Sequence, residues 1–431
     1  MNQHAFSRRE ALATVGTGLA SALLLARSGA AAAFQGNPAN AEAAPLLDGF
    51  AENYLRLSPE SATSLGIDTG ARAALRHKLG DRSQAGRDWF ATVVRSDLTR
   101  ARAFDISKLD FQTRTNFEVV RSCYETSSEG FAFPYGDVAV GGWRNAPYAV
   151  IQNVGAYLDT PQFLENDHPI ESSDDAEAYL ERLAQYPLQL DGELGRMQSA
   201  RAQGLVPPSF LLDAAIPQLG ISLKDAASGG RLVSSLVDRA KKKGIAGDWE
   251  SRARAIVERQ VAPALERQIA ELKDERAVAT DVAGMWSRPH GEDYYRWALK
   301  AGTTTSLSPQ EIHQMGLDRL KAIQAQMDSI LKQVGYTDGS VGDRMKALSK
   351  DPKYKFSDGD KGRAEIMAFI QDRLKWINGQ LPRAFNTLVH PNMEVKRIPP
   401  EAEAGAPAAY GGAGSIDGKI PGRFWINLKT P

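Results

Sequence analysis

Apolar residues recur every three or four positions along most of the chain, and this spacing predicts α-helices. A helix with 3.6 residues per turn brings such residues onto one face, which packs against a neighbouring helix. The pattern therefore predicts a mainly α protein, a large multi-helix fold with a short strand-bearing C-terminal segment. The predicted helices are Leu46–Leu57, Gln84–Phe104, Phe111–Ser127, Asp174–Gln203, Gly230–Lys243, Trp249–Arg276, Gly291–Ala301, Pro309–Val334 and Lys361–Gln380.

Local signals mark the ends of two of these helices. Ser308-Pro309-Gln310-Glu311 has the pattern of a capping box, with serine at the N-cap and proline at the first helical position. Ser173 is the predicted N-cap of the helix 174–203, and Pro187 inside that helix predicts a kink or a break. The helix after Ser308 carries one apolar stripe, formed by Ile312, Met315, Leu320, Ile323, Met327, Ile330 and Val334.

Two stretches interrupt the helical pattern. Gly130–Asp159 is rich in glycine, proline and aromatic residues, which predicts a long ordered loop that either lines a cleft or covers core. Ile398–Pro431 has a proline and glycine spacing that excludes helix, and within it Arg423–Leu428 has the composition of a strand. Such a strand needs a sheet partner and cover for its aromatic side chains.

The first 43 residues have the features of an export signal and linker. Ser7-Arg8-Arg9-Glu10-Ala11-Leu12 resembles a twin-arginine motif, and an apolar stretch of alanine, glycine and leucine follows it to about Ala33. An uncleaved membrane anchor is the alternative interpretation. The sequence thus predicts a periplasmic or secreted protein with a signal over 1–43, a helical domain over 44–381 and the strand-bearing start of an incomplete catalytic domain over 382–431.

Charge and cysteine content exclude several functional classes. Basic residues (Lys and Arg) and acidic residues (Asp and Glu) number 52 each. The net charge therefore favours neither nucleic-acid binding nor membrane binding, apart from the membrane passage that export requires. Cys123 is the single cysteine of the sequence, which excludes an intrachain disulfide and a cysteine-rich metal site.

The histidines do not form a recognisable catalytic motif. None occurs in the H-E-x-x-H arrangement that would place two imidazoles and a general base on one helical face. The residues alone therefore assign neither a catalytic residue nor a metal ligand. The six histidines are His4, His77, His168, His290, His313 and His390.

Four segments together resemble a known bacterial family. They are Tyr186–Gly204 with Pro207-Pro208 after it, Gly291–Tyr295, the run from Thr303 to Gly335 that contains IHQMG, and Val395–Asn427 with DGKIPGRFWIN. The chain from about Leu46 onward is similar to the family called domain of unknown function 885, which is associated with helical, gluzincin-type zinc metallopeptidases.

This resemblance implies a peptide substrate and, in a complete family member, a zinc ion. In the family, the strand that corresponds to Gly422–Leu428 is followed by a helix with H-E-x-x-H and by a further glutamate ligand, and this chain ends before that point. No zinc is therefore expected on this chain. The resemblance also implies that Gly422–Leu428 is an edge strand that pairs with a peptide backbone. The substrate-binding candidates are Tyr410, Asp417, Arg423, Asn427 and His313.

Two functional hypotheses remain open at this point, and with them the question of whether the chain is an enzyme. In the first, the chain is the exported helical portion of a zinc metallopeptidase-like protein and is inactive without the catalytic segment. In the second, it is a stand-alone periplasmic protein that binds peptides or partners without catalysis. In the second hypothesis the apolar residues of Gly422–Leu428 would need cover from a partner or from self-association, whereas in the first a missing C-terminal segment could supply it.

Overall fold

The computed structural model describes residues 37–142, 145–386, 393–398, 403, 408–412, 414–416 and 420–429. These residues form a mainly α-helical protein with one small sheet near the C-terminus, which confirms the predicted fold class. Most of the predicted export signal, residues 1–36, lies outside this range. The chain divides into two compact units, Met1–Ser306 and Leu307–Pro431.

The described residues form fourteen α-helices and three strands. The helices of the first unit are α1 (Pro38–Leu57), α2 (Pro59–Ser64), α3 (Gln84–Ala103), α4 (Phe111–Gly130), α5 (Ala156–Asn166), α6 (Ser173–Ala202), α7 (Ser209–Ala227), α8 (Gly230–Lys243), α9 (Trp249–Ile256), α10 (Ala262–Val278) and α11 (Gly291–Thr303). The second unit contains α12 (Pro309–Gln333), α13 (Val341–Lys350), α14 (Gly359–Gln380), β1 (Met393–Arg397), β2 (Ala409–Gly412) and β3 (Gly422–Ile426).

Side-chain caps fix the starts of the helices that the sequence marks most clearly. At α12 the Ser308 hydroxyl accepts a hydrogen bond from the Glu311 N–H at 3.2 Å, and the Glu311 carboxylate accepts one from the Ser308 N–H at 2.8 Å. The predicted capping box is therefore confirmed. At α6 the cap is Ser172, one residue before the predicted Ser173, because the Ser172 hydroxyl accepts from the Asp175 N–H at 3.2 Å.

Prolines have different effects in different helices. Helix α6 continues through Pro187, so the break that the sequence allowed does not occur there. Between α9 and α10 the chain forms a π-helical turn, Val257–Val261, two residues before Pro263. Proline has no N–H and displaces the carbonyl four residues earlier, and a wider turn accommodates that missing bond.

Helix α7 was not predicted from the sequence. Pro217 and Gly220 lie inside it, and both residues lower the intrinsic preference for helix. It forms because α7 packs along α10 and buries Leu212 and Leu219 completely. Tertiary burial outweighs local propensity in this segment.

The core of the first unit consists of several clusters. The largest joins helices α5 to α10 around the fully buried Tyr179, Leu183 and Leu190 of α6. Another joins α1, α3 and α4, where Phe50 packs edge-on against Phe117 with ring centroids 6.4 Å apart.

The predicted loop after α4 covers part of the core. Its Tyr135 and Tyr148 are buried against Tyr294 and Trp297 of α11. The Trp297 indole N–H donates to the Thr126 carbonyl at 2.8 Å. The dense aromatic patch of α11 is thus packed into the interior, apart from Tyr295, which is exposed.

A fully buried arginine joins α6 to the N-terminal part of the first unit. Arg182 donates to the Lys78 carbonyl at 3.0 Å, to the Thr63 hydroxyl at 2.7 Å and to Nδ1 of His168 at 2.8 Å. Burial and the Arg182 charge lower the pKa of His168 to about 3, so this imidazole is neutral. Its Nε2–H therefore donates to the Asp175 carbonyl at 2.8 Å.

The second unit leaves much apolar surface exposed. On α12 the single buried residue among those described is Leu331, and most of the predicted apolar stripe is exposed, including Leu320 and Ile330. Helix α13 packs against α12, and the buried Arg344 of α13 pairs with Asp328 of α12. The predicted amphipathic pattern is present, but the described part of this unit does not bury it.

The sheet of the second unit has the order β1-β3-β2. Strand β3 pairs in parallel with β1 and antiparallel with β2. The expectation that Gly422–Leu428 is an edge strand is therefore wrong, because β3 lies at the centre and both of its edges are already paired. Among the described helices of both units, none combines the length and apolar character needed to cross a bilayer.

Candidate functional site

The sheet register brings three of the predicted site residues onto one face. Side chains alternate along a strand, so Arg423, Trp425 and Asn427 share a face of the sheet. On that face Tyr410 of β2 lies opposite Trp425, and Glu394 of β1 lies opposite Arg423. Residues of all three strands, distant in sequence, thus border one half-buried surface.

The centre of this face is aromatic. The rings of Tyr410 and Trp425 stack with centroids 6.3 Å apart and an interplanar angle of 23°. The Lys396 ammonium lies 5.9 Å from the Trp425 ring centroid, within cation–π distance. Burial raises the pKa of the Tyr410 phenol, which keeps it protonated as a hydrogen-bond donor.

Charged groups border the aromatic pair. The Glu394 carboxylate lies 2.7 Å from the Lys396 ammonium and 3.9 Å from Nε of Arg423. This arrangement leaves more positive than negative charge beside the rings. A ligand with an apolar side chain and a carboxylate is complementary to such a surface.

Asn427 has a structural role at the end of β3. Its side-chain amide donates to the Glu403 carbonyl at 2.7 Å. The Glu403 carboxylate accepts from Arg397 at 2.8 and 2.9 Å and from the Leu428 N–H at 2.9 Å. Hydrogen bonding by Arg397 lowers the pKa of Glu403 to about 2, so the Glu403 carboxylate is ionised near neutral pH.

The two remaining predicted residues are not placed on this face. His313 is exposed in the first turn of α12, and no contact among the described residues joins it to the sheet. Asp417 lies outside the described residues. Their predicted roles in substrate binding stay predictions.

Sequence reasoning missed three residues of this surface, namely Trp425, Lys396 and Glu394. The sequence presents Trp425 as part of an apolar strand, and its position two residues after Arg423 is the signal that places both on one face. Lys396 and Glu394 could not be found, because only the strand pairing brings β1 beside β3.

The two edges of the sheet differ in character. The β1 edge is strongly charged, because three of its five residues, Glu394, Lys396 and Arg397, are ionisable. Charged side chains on an edge strand oppose the addition of another strand. The β2 edge instead contains the exposed Gly411 and Gly412, and a Cβ added at Gly412 would meet no atom within 4 Å.

The described residues do not fit a zinc centre. Across the described ranges, no three His, Cys, Asp or Glu side chains come together in a way that could hold a metal ion. On the sheet face, the nearest charged neighbours of Glu394 are the cations Lys396 and Arg423, which would repel a metal.

Comparison with solved structures identifies two proteins of similar fold. A crystal structure of "the putative lipoprotein from Colwellia psychrerythraea" is 26% identical with a TM-score of 0.84, and the match covers 91% of this chain and 68% of that one. A "putative lipoprotein of unknown function from Shewanella oneidensis" is 13% identical with a TM-score of 0.55, covering 88% of this chain and 63% of that one, a likeness of fold alone. The chain thus spans about two thirds of each.

Comparison with curated proteins gives no match. The family described as "Bacterial protein of unknown function (DUF885)" matches residues 59–431, which include all of the helices from α2 onward and the whole sheet. The chain therefore belongs to the DUF885 family.

Proposed function

We propose that this chain binds extended peptides and forms the peptide-recognising portion of an exported metallopeptidase-like protein. The observation that carries the proposal is the glycine-containing β2 edge beside the aromatic face of Tyr410 and Trp425. An extended peptide can add to such an edge as a fourth strand, with main-chain hydrogen bonds giving affinity and the neighbouring face giving specificity.

The ladder between β2 and β3 determines which groups of β2 are available. The Asn427 N–H donates to the Ala408 carbonyl at 2.9 Å. In an antiparallel ladder, hydrogen-bonded pairs alternate along the strand. The main-chain groups of Tyr410 and Gly412 therefore point to β3, and those of Gly411 point away from it. Gly411 thus offers an N–H and a C=O to an incoming strand.

Catalysis is a separate matter. The family resemblance implies zinc peptidase chemistry, and the described residues supply no fitting zinc site. We therefore assign recognition to this chain and expect it neither to hold zinc stoichiometrically nor to hydrolyse peptides by itself. The second candidate function is a stand-alone peptide-binding protein, which the same β2 edge beside Tyr410 and Trp425 supports.

Export is part of the proposal. Two observations support it: the Ser7–Leu12 motif with its apolar continuation, and the description of the Colwellia psychrerythraea relative as a putative lipoprotein. Fractionation of the source cell, with the twin arginines replaced by lysines, tests it. Retention of the lysine variant in the cytoplasm is the expected outcome, and unchanged export would exclude the twin-arginine route.

The decisive binding experiment uses the purified chain and a library of fluorescent, unstructured octapeptides, read by fluorescence anisotropy. Gly411→Pro removes the outward N–H, and we expect it to weaken peptide binding by about tenfold or more, the effect of one lost main-chain bond and a blocked edge. Gly411→Ala is the matched control. It keeps the N–H, and its Cβ would meet the nearest atom, the Arg423 carbonyl oxygen, at an ordinary 3.5 Å.

Two results would contradict the proposal. Equal binding by the proline and alanine variants would exclude strand addition at β2. Peptide hydrolysis by the purified chain together with one bound zinc per molecule would show that it contains a catalytic centre that the described residues do not provide.

A further inference from the structure

A cleft of about 430 Å³ lies within the first unit, remote in sequence from the sheet. It is bordered by the end of α1, the segment that leads into α3, the loop after α4, and helices α5 and α6. Its volume is in the range of small-molecule sites. The long loop predicted to line a cleft or to cover core therefore does both, since Asp137, Val138 and Val154 line this cleft.

Two of the three arginines in the cleft are neutralised by protein carboxylates. Arg82 donates to Glu193 at 2.9 Å and to Asp159 at 3.0 Å. Arg196 donates to Asp137 at 2.6 Å. The charges of Arg82 and Arg196 are thus compensated by carboxylates of the protein itself, and both ion pairs form part of the cleft wall.

The third arginine has no such partner. Arg87 is 8% exposed, and its hydrogen bonds go to main-chain carbonyls, with Nε donating to Gly136 at 3.1 Å and Nη2 to Phe133 at 2.8 Å. Among the described residues no carboxylate pairs with Arg87, and no hydrogen bond uses its Nη1. Burial is the main cause that lowers the pKa of Arg87, and the charge of Arg196 lowers it further, while the carboxylates of Asp137 and Asp88 act in the opposite direction only through space. A buried guanidinium that no carboxylate contacts directly is costly to keep in a fold.

A carboxylate in the same cleft also lacks a direct ionic partner. Oε1 of Glu60 accepts from the Gly80 N–H at 2.9 Å and from the Gln189 amide at 3.1 Å. Among the described residues no lysine, arginine or histidine nitrogen forms an ion pair with it. Arg82 and Arg182 act on it only through space.

The cleft also has an apolar lining. Leu57, Phe90, Phe131 and Phe163 line it. The guanidinium of Arg87 lies 5.5 Å from the centroid of the Phe131 ring, which holds the arginine in place. The cleft therefore combines one available cation, one available anion and an aromatic surface.

We propose that this cleft binds a small zwitterion, a short apolar peptide whose carboxylate pairs with Arg87 and whose ammonium group pairs with Glu60. The site is independent of the peptide edge at β2. A ligand with both charges compensates both protein groups at once, whereas a simple anion would leave Glu60 without a partner. Apolar side chains of the ligand would replace water on the phenylalanine wall.

Isothermal titration of the purified chain with the dipeptide Leu-Leu tests the proposal. N-acetyl-Leu-Leu lacks the ammonium group, Leu-Leu amide lacks the carboxylate, and inorganic phosphate is an anion alone. We expect Leu-Leu to bind, and each of the other three probes to bind at least about tenfold more weakly, since each leaves a charge uncompensated. Absence of Leu-Leu binding up to about 10 mM, or equal binding of phosphate, would overturn the proposal.

Variants locate the site. Glu60→Gln keeps the oxygen that accepts from Gly80 and removes the charge, so it should lower Leu-Leu affinity by about tenfold and abolish the preference over N-acetyl-Leu-Leu. Glu118→Gln, at an exposed position on α4, is the matched control and should change nothing. Gly411→Pro should also leave Leu-Leu binding intact. A loss with Gly411→Pro but not with Glu60→Gln would place the dipeptide at the sheet and refute this assignment.

Discussion

Glu275 provides the sharpest test of the electrostatics of this fold. It lies on α10, is 3% exposed, and its Oε2 has no hydrogen-bond partner among the described residues. Burial, with a further contribution from the charge of Glu271, raises the pKa of Glu275 from 4.5 to about 8. The carboxyl group is therefore protonated in the folded protein near neutral pH.

The sign of the pH effect follows from proton linkage. The folded state holds a proton that the unfolded state releases above pH 4.5, so the free energy of unfolding falls as the pH rises from 4.5 towards 8. Each pH unit between 4.5 and 8 lowers the free energy of unfolding by about 1.4 kcal/mol, and the whole interval lowers it by at most about 5 kcal/mol. Glutamine has nearly the shape of the protonated acid and cannot ionise.

Glu275→Gln is thus expected to raise the free energy of unfolding by about 2–4 kcal/mol at pH 8, with almost no change at pH 4.5. Urea unfolding at both pH values, followed by circular dichroism, measures it. Glu266→Gln, an exposed position on the same helix, is the control and should stay within about 0.5 kcal/mol at both. A variant that is less stable than the wild type at pH 8, or equally changed at both pH values, would refute the reasoning.

Two further predictions concern the buried cluster around α6. Arg182→Leu should lower the free energy of unfolding by about 3–5 kcal/mol, because the Lys78 carbonyl and the neighbouring polar groups lose their hydrogen-bond donor. Arg267→Ala removes the exposed ion pair that Arg267 of α10 forms with Asp191 of α6, and it should lower the free energy of unfolding by at most about 1 kcal/mol. Equal losses of stability for the two variants in urea unfolding would contradict this prediction. The pKa of His168 is about 3 in the folded protein and 6.5 in the unfolded chain. Its contribution to the free energy of unfolding is therefore fully present above pH 6.5 and is lost as the pH falls towards 3, with a loss of about 2 kcal/mol at pH 5. His168→Gln should remove that slope from stability curves between pH 6.5 and 5, and an unchanged slope would show that other groups cause it.

Helix boundaries were predictable where the signal is local. The start of α12 follows from Ser308 and Glu311, three residues apart, and the predicted helix Gly230–Lys243 has the bounds that the structure gives to α8. Capping and helical periodicity act between residues a few positions apart, so one sequence suffices to detect them. The strand β3 was found for the same reason.

The candidate surfaces were less predictable. The sequence suggested Tyr410 and Arg423, but it did not show that Tyr410 stacks on Trp425 or that β3 is central. Strand order depends on pairings between distant segments, and a single sequence carries no local signal for them. For the cleft around Arg87 and Glu60, the sequence indicated only that the loop Gly130–Asp159 could line a cleft, and it did not single out either charged residue.

The sequence by itself determined that this protein is a multi-helix fold with a strand near its C-terminus, because apolar periodicity, caps and turn residues act locally. The tertiary structure alone decided which charges are paired and which remain available. Arg82 pairs with Glu193, which lies 111 residues later in the sequence. Arg87, five residues after Arg82, donates its hydrogen bonds only to main-chain carbonyl oxygens. That difference arises from burial and long-range contact, which set the energy of a charge inside a protein.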